Sequence, residues 1–203
     1  MHSSAHYRQL LARLPQIAVA ADQFQVLNSA KDFKSRILSL IANATQRIYL
    51  IALYLQDDEA GREILSALYA AKQRNPALDI KVFVDFHRAQ RGLIGKGKQG
   101  GNHLMYQAMA ARHEHQIEIY GVPVKGRELL GVLHLKGFIF DDILLYSGAS
   151  LNDIYLHQQE RYRFDRYHQI HSQALARSMV NYVDDLFVKS DAVQRLDHSD
   201  IPS

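Results

Sequence analysis

An α/β domain with a mixed, mostly parallel sheet is the fold this sequence predicts. Two observations predict it. Short, continuously apolar runs of strand length alternate with stretches whose apolar residues recur at helical spacing. Continuous apolarity in a strand means burial on both faces, which calls for helices covering the sheet.

The elements follow in order. Asn28 or Ser29 caps a helix whose apolar stripe is Phe33, Ile37, Leu40 and Ile41. Arg47 leads into the run Ile48 to Leu55, a buried strand. Asp57-Asp58 opens a second helix carrying Ile64, Leu65, Leu68 and Ala71, and Asn75-Pro76 ends it. Ile80 to Phe86 is the next strand. Gly92 to Gly101, which contains Lys96 and Lys98, reads as a solvated loop. A helix near Leu104 to Arg112 and a strand from Ile117 to Tyr120 come next. Val132 to Phe140 and Ile143 to Ser147 form a hairpin through Asp141-Asp142. Tyr162 to Ile170 is the last strand. Ser172 caps a final helix carrying Leu175, Met179, Tyr182, Val183 and Leu186. Residues 1–28 read as an N-terminal segment, 29–190 as one domain and 191–203 as a polar tail.

Composition narrows the class. The chain has 203 residues, is 47% hydrophobic and carries a formal net charge of +3, enough for a full core and mildly suited to anionic partners. It has no cysteine, so disulfide and thiolate chemistry are excluded. Met1 to Leu14 is interrupted by His6, Arg8 and Arg13 and lacks an apolar signal core. Ile48 to Leu55 is too short to span a bilayer. A cytoplasmic or peripheral protein is expected.

The chemistry concentrates in His134-Leu135-Lys136-Gly137-Phe138-Ile139-Phe140-Asp141 and Gly148-Ala149-Ser150-Leu151-Asn152. In a strand, alternate residues share a face, so His134 and Lys136 project together while Leu133 and Leu135 enter the core. An imidazole beside an ammonium suits attack on a phosphodiester. The histidine acts as nucleophile or general acid, and the lysine neutralises charge developing on phosphoryl oxygens. Ser150 and Asn152 can donate hydrogen bonds to those oxygens. Asp141, at the turn, is expected to support the site rather than transfer protons. The chain offers no tight metal-ligand cluster, and neither metal nor cofactor is expected.

The spacing H-x-K-x4-D-x6-G, complete at His134, Lys136, Asp141 and Gly148, resembles the HKD motif of the phospholipase D superfamily. The family continuation is Gly-Ser-x-x-Asn. Here Ala149 stands where the serine belongs, and Ser150 is the neighbouring hydroxyl. The resemblance implies an α/β/α sandwich, a phosphohistidine intermediate, and two HKD motifs meeting across a two-fold or pseudo-two-fold axis. It also implies that Asp165 orients the catalytic histidine.

Within the superfamily the chain is similar to the N-terminal half of the bacterial phosphatidylserine synthases of the phospholipase D type. Carrying segments are Ile51 to Leu55, Val84 to Gly92, Tyr120 to Pro123, Gly131 to His134, Tyr146 to Asp153 and Tyr162 to His168. That likeness implies phosphatidyl transfer from CDP-diacylglycerol to L-serine, with release of CMP, at an anionic membrane surface. The second HKD half would come from a C-terminal domain beyond residue 203, a truncation point on this reading, or from a homodimer partner. His87, Arg88 and Arg91, just after a strand, are candidate contacts for a pyrophosphate or nucleotide, with an exposed basic turn as the alternative. Two other functions stay open: a homodimeric phosphodiesterase or nuclease with one motif per subunit, and a half-enzyme without turnover. Nucleic acid is the less expected partner, because the aromatics lack regular basic interleaving.

Overall fold

The structure is a computed structural model that describes residues 4–91, 100–124 and 132–198. The Gly92 to Gly101 loop with Lys96 and Lys98 lies outside them, apart from Gly100 and Gly101, as do Gly131 and the end of the tail.

The helices are α1 (Ser4–Ala12), α2 (Ala30–Asn43), α3 (Glu59–Arg74), α4 (Phe86–Ala89), α5 (His103–Ala110) and α6 (Gln173–Val183). The strands are β1 (Phe24–Leu27), β2 (Arg47–Ile51), β3 (Asp79–Asp85), β4 (Glu118–Val122), β5 (Gly137–Phe140), β6 (Ile143–Tyr146), β7 (Tyr167–His171) and β8 (Gln194–Arg195). The expected caps are in place. Ser29 accepts from the Asp32 N–H at 3.0 Å, Asp58 from Gly61 at 2.9 Å and Ser172 from Leu175 at 3.3 Å.

The strands form one eight-stranded sheet in the order β1-β7-β6-β5-β2-β3-β4-β8. It is mixed, with the parallel pairs confined to β2–β3 and β3–β4. The expectation of a mostly parallel sheet therefore holds only at the centre. The reason is connection length: Asp141-Asp142 joins β5 to β6 directly, and a two-residue turn can link only antiparallel neighbours. β1 and β8 extend the sheet at both edges, beyond residues 29–190 on either side.

Alternation along the strands divides the core in two. Ile48, Leu50, Val82, Phe138, Phe140 and Leu145 face α2 and α3. Tyr49, Ile51, Phe83, Ile139 and Leu144 face α6, which answers with Ala176, Val180 and Val183. Each such side chain contributes about 1.5–3 kcal/mol on burial. This is the expected helix–sheet–helix layering. The stripe of α6 is rotated from the expected one: Tyr182 and Leu186 are half exposed. The helix widens into a π-turn over Asp184–Val188, which breaks the 3.6-residue period.

Two expected strands begin late. Val132 to Lys136 pairs with no strand before β5, and Tyr162 to Arg166 is irregular before β7. Gly137 sits at the first of these junctions with φ +151°, and a Cβ there would lie 2.9 Å from the Met179 methyl.

Candidate active site

Ile51 of β2 pairs with Gly137 of β5, and the two strands run antiparallel. The segment before β5 therefore lies at the carboxyl edge of the parallel strands, where α/β sheets place their ligand crevices. Leu133 is buried and Leu135 packs partly into the α6-side core. The alternation expected of a strand survives in this unpaired segment, and His134 and Lys136 share a cleft. About 330 Å³ in volume, that cleft is lined also by Tyr54, Tyr146, Ser147, Gly148, Ser150 and Tyr155. His134 is exposed and makes no hydrogen bond among the described residues. Lys136 is partly buried. Burial pushes its ammonium pKa below the ordinary lysine value, and the nearby Asp165 carboxylate opposes part of that shift.

The segment is tied down by a residue the sequence reading passed over. Asp85 ends β3 and is fully buried. One carboxylate oxygen accepts from the Leu133 N–H at 2.9 Å, and the other caps α4 through the Arg88 N–H at 2.9 Å. A buried carboxylate is tolerated when its lone pairs are met in this way. The signal was available: an aspartate closing an apolar strand immediately before a basic cluster.

The turn after β6 explains the departure at Ala149. Ala149 is fully buried in the main core, and its N–H donates to Ser147 Oγ at 3.0 Å. Ser150 is the hydroxyl that lines the cleft, and it has no partner among the described residues. Leu151 joins the chain to the end of β2: its N–H donates to the Tyr54 carbonyl at 3.2 Å, and its carbonyl accepts from Gln56 at 2.9 Å. The Asn152 amide is already engaged. Its oxygen accepts from the Tyr155 N–H at 2.9 Å, and its nitrogen donates to the Tyr54 hydroxyl at 3.3 Å. Asn152 thus fixes Tyr54, which the sequence reading placed in a buried strand, and Tyr155, which it did not single out.

Asp165 lies against Gly148, where a Cβ would sit 2.7 Å from its Oδ2. Glycine at the motif position leaves room for this carboxylate, which acts on the Lys136 ammonium. No hydrogen bond joins Asp165 to His134, so the expected histidine-orienting contact is absent from this arrangement. Asp141 stands apart from the cleft, at the opposite end of β5. There its carboxylate accepts from the backbone N–H groups of Thr45, Gln46 and Arg47 at 2.8, 2.8 and 2.9 Å, and from the Thr45 hydroxyl at 3.1 Å. Burial works to raise its pKa, but these donors outweigh it and hold the pKa below the ordinary carboxylate value. Asp141 has φ +51°, a conformation aspartate tolerates. It clasps the start of β2 to the hairpin.

Arg88 and Arg91 line a second cleft of about 380 Å³ with Gln56, Asn102, Asn152 and Arg163. It shares the wall Leu53, Tyr54 and Tyr155 with the first. His87 lines neither; its ring packs against Phe86 at 5.5 Å. Among the described residues no group of three histidine or carboxylate side chains is placed to hold a metal ion. Four cations, Lys136, Arg88, Arg91 and Arg163, therefore border two joined clefts, and the Asp165 carboxylate acts on Lys136. The arrangement suits a phosphate-bearing ligand reached by an unencumbered imidazole.

Known proteins match this chain over most of its length. A family described as "Cardiolipin synthase, PLD-like domain" matches residues 37–182. CDP-diacylglycerol--serine O-phosphatidyltransferase of Haemophilus influenzae is 49% identical over 199 residues, covering 96% of this chain and 43% of that protein. The Escherichia coli enzyme of the same name is 46% identical over 197 residues, covering 97% and 44%. This chain thus spans less than half the length of those relatives. The crystal structure of Haemophilus influenzae phosphatidylserine synthase superposes with a TM-score of 0.92 at 46% identity, covering 100% of this chain and 45% of that one. NucT from Helicobacter pylori shares the fold alone, with a TM-score of 0.55 at 14% identity, covering 80% of this chain and 92% of that one.

Proposed function

This chain belongs to the PLD-like domain family, and from that premise we propose that it carries one HKD half of a CDP-diacylglycerol--serine phosphatidyltransferase. The relatives that bear that name, at 46–49% identity, support the substrate class. The observation that carries the chemistry is the His134 imidazole, without a hydrogen-bond partner among the described residues, beside the partly buried Lys136 and the buried Ser150 hydroxyl that lines the same cleft.

The reaction on this reading has two displacements. A nitrogen of His134 attacks the phosphorus that bears the diacylglycerol, the bond to the bridging oxygen breaks, and CMP leaves with the electron pair. The serine hydroxyl then attacks the phosphohistidine, the P–N bond breaks, and its proton passes to a base. Lys136 and Ser150 face the non-bridging oxygens and stabilise their charge in both transition states. The depressed pKa of Lys136 costs nothing here, because a bound phosphoryl group favours the ammonium. The second histidine belongs to the other half of the longer protein or to a second copy of this chain.

We place the protein in the cytoplasm, peripherally on an anionic membrane. No helix among the described residues is long and apolar enough to cross a membrane. Supporting a surface contact, Leu10, Leu11 and Leu14 are exposed at or just after α1, beside Arg8 and Arg13. The test is serine-dependent CMP release from CDP-diacylglycerol in mixed micelles. Release that His134→Ala abolishes supports the proposal; release that survives the substitution removes His134 from the chemistry.

A further inference from the structure

We infer that the arginine-lined cleft beside His134 and Lys136 is the seat of the leaving nucleotide, binding a cytidine monophosphate group through Arg88 and Arg91 and reading its base with Gln56. The inference rests on the phosphatidyl-transfer reading for its ligand, but its observations concern a different set of side chains.

Position comes first. The two clefts share Tyr54, Tyr155 and Leu53, so one ligand can cross from one to the other. In a pyrophosphate donor the leaving phosphate is one bridging oxygen from the phosphorus under attack. When that phosphorus lies at His134, the leaving phosphate must occupy the next space along, which is the arginine cleft. The spacing is held rigidly, because the buried Asp85 carboxylate binds the Leu133 N–H beside His134 and the Arg88 N–H.

Charge comes second. Neither Arg88 nor Arg91 has an ion pair among the described residues, and no carboxylate lines the cleft. Unpaired guanidinium groups converging on a cavity suit a phosphate, which they grip through forked N–H donors. The leaving group gains negative charge as the P–O bond breaks, so these cations would act most strongly in the transition state.

The walls supply the third point. The Asn102 amide oxygen accepts from the Asp57 backbone N–H at 2.9 Å, which fixes its orientation. Gln56 must then present its nitrogen to that oxygen, at 2.8 Å. Its own amide oxygen is left as an acceptor without a partner among the described residues, in a side chain that is nearly buried. A fixed acceptor complements the exocyclic amino group of cytosine and repels the carbonyl that uracil carries at the same place. Tyr54 and Tyr155 put two aromatic side chains on the wall shared by the clefts, beside the sugar or base. A volume of about 380 Å³ lies within the range of small-ligand sites, roughly 300–1,000 Å³.

The experiment is calorimetric titration of the 203-residue chain with CMP, UMP, cytidine and inorganic phosphate. Circular dichroism checks the fold of each variant. CMP is expected to bind at least tenfold tighter than phosphate and severalfold tighter than UMP. Arg88→Ala and Arg91→Ala should each weaken CMP tenfold or more, and Gln56→Leu should level CMP with UMP. CMP binding no tighter than phosphate, or unchanged by both arginine substitutions, overturns the inference. Transfer activity with an unaltered KM for CDP-diacylglycerol in Arg88→Ala and Arg91→Ala overturns it while leaving the transfer reading intact. Nucleotide binding as predicted, without transfer, supports the site and counts against the transfer reading alone.

Discussion

Replacing Asp85 by alanine should damage the site without touching any residue that lines it. The substitution removes both acceptors that join the His134 segment to α4. Leu133 is buried, so its N–H would be left without a partner, at a cost of about 1–3 kcal/mol. The lost α4 cap adds about 1 kcal/mol. Relief of the carboxylate's own burial offsets part of this sum, leaving a loss of roughly 2–4 kcal/mol. For a chain of this size that lowers the melting temperature by roughly 5–15 °C. Asp85→Asn keeps one acceptor and turns an N–H toward the other donor, so it should fall between alanine and the parent. The diagnostic readout is amide hydrogen exchange at Leu133 and Arg88, measured well below the melting transition. Both amides should exchange faster in Asp85→Ala, while the α2 and α3 amides stay protected. A melting shift under 2 °C, or unchanged exchange at Leu133, would refute the claim that Asp85 holds the His134 segment.

Asp141→Asn should destabilise the fold at neutral pH by roughly 1–2 kcal/mol, since charge-assisted bonds to three backbone donors become neutral or are lost. The sign of its pH dependence is set by a folded-state pKa below the unfolded one. The carboxylate's contribution is fully present above the unfolded value of about 3.9 and is lost as pH falls through the folded one. The stability gap between parent and Asp141→Asn should therefore close in acid, as urea titrations from pH 7 to 2.5 would reveal. CMP affinity should not change, because Asp141 is at the far end of β5; a tenfold loss there would contradict a purely structural role. Asp165→Asn removes the carboxylate that holds the Lys136 pKa up against burial, so that pKa should fall further. Where transfer is measurable, the alkaline limb of its pH profile should move to lower pH, and an upward move would contradict the assignment.

Helices and buried strands were legible in the sequence because their signals are local. Ser29, Asp58 and Ser172 cap within three residues of themselves, and the stripes of α2 and α3 obey one period. β1 and β8 were not legible: Phe24 to Leu27 pairs only with β7, far along the chain, and Gln194-Arg195 is two residues in a polar stretch. The strand directions depend on which neighbours meet, which no single segment encodes. His134, Lys136 and Ser150 were readable from spacing, and the structure brings them to one cleft. Asp141 belongs to the same spacing yet sits at the other end of β5. Motif spacing records which residues occur together, not which side of the sheet they serve. Asp85 and Arg163 went unassigned, and Tyr54 was read only as part of a buried strand, because their roles depend on contacts with residues distant in sequence, such as Leu133 and Asn152.

The central claim is that His134 forms the bond to phosphorus. Isotope exchange tests it most directly: labelled CMP is incubated with CDP-diacylglycerol and the folded chain in the absence of serine. A phosphohistidine route predicts that label enters CDP-diacylglycerol, and that His134→Ala abolishes the exchange. Exchange that persists in His134→Ala, or serine-dependent transfer with no exchange in the parent chain, would contradict it.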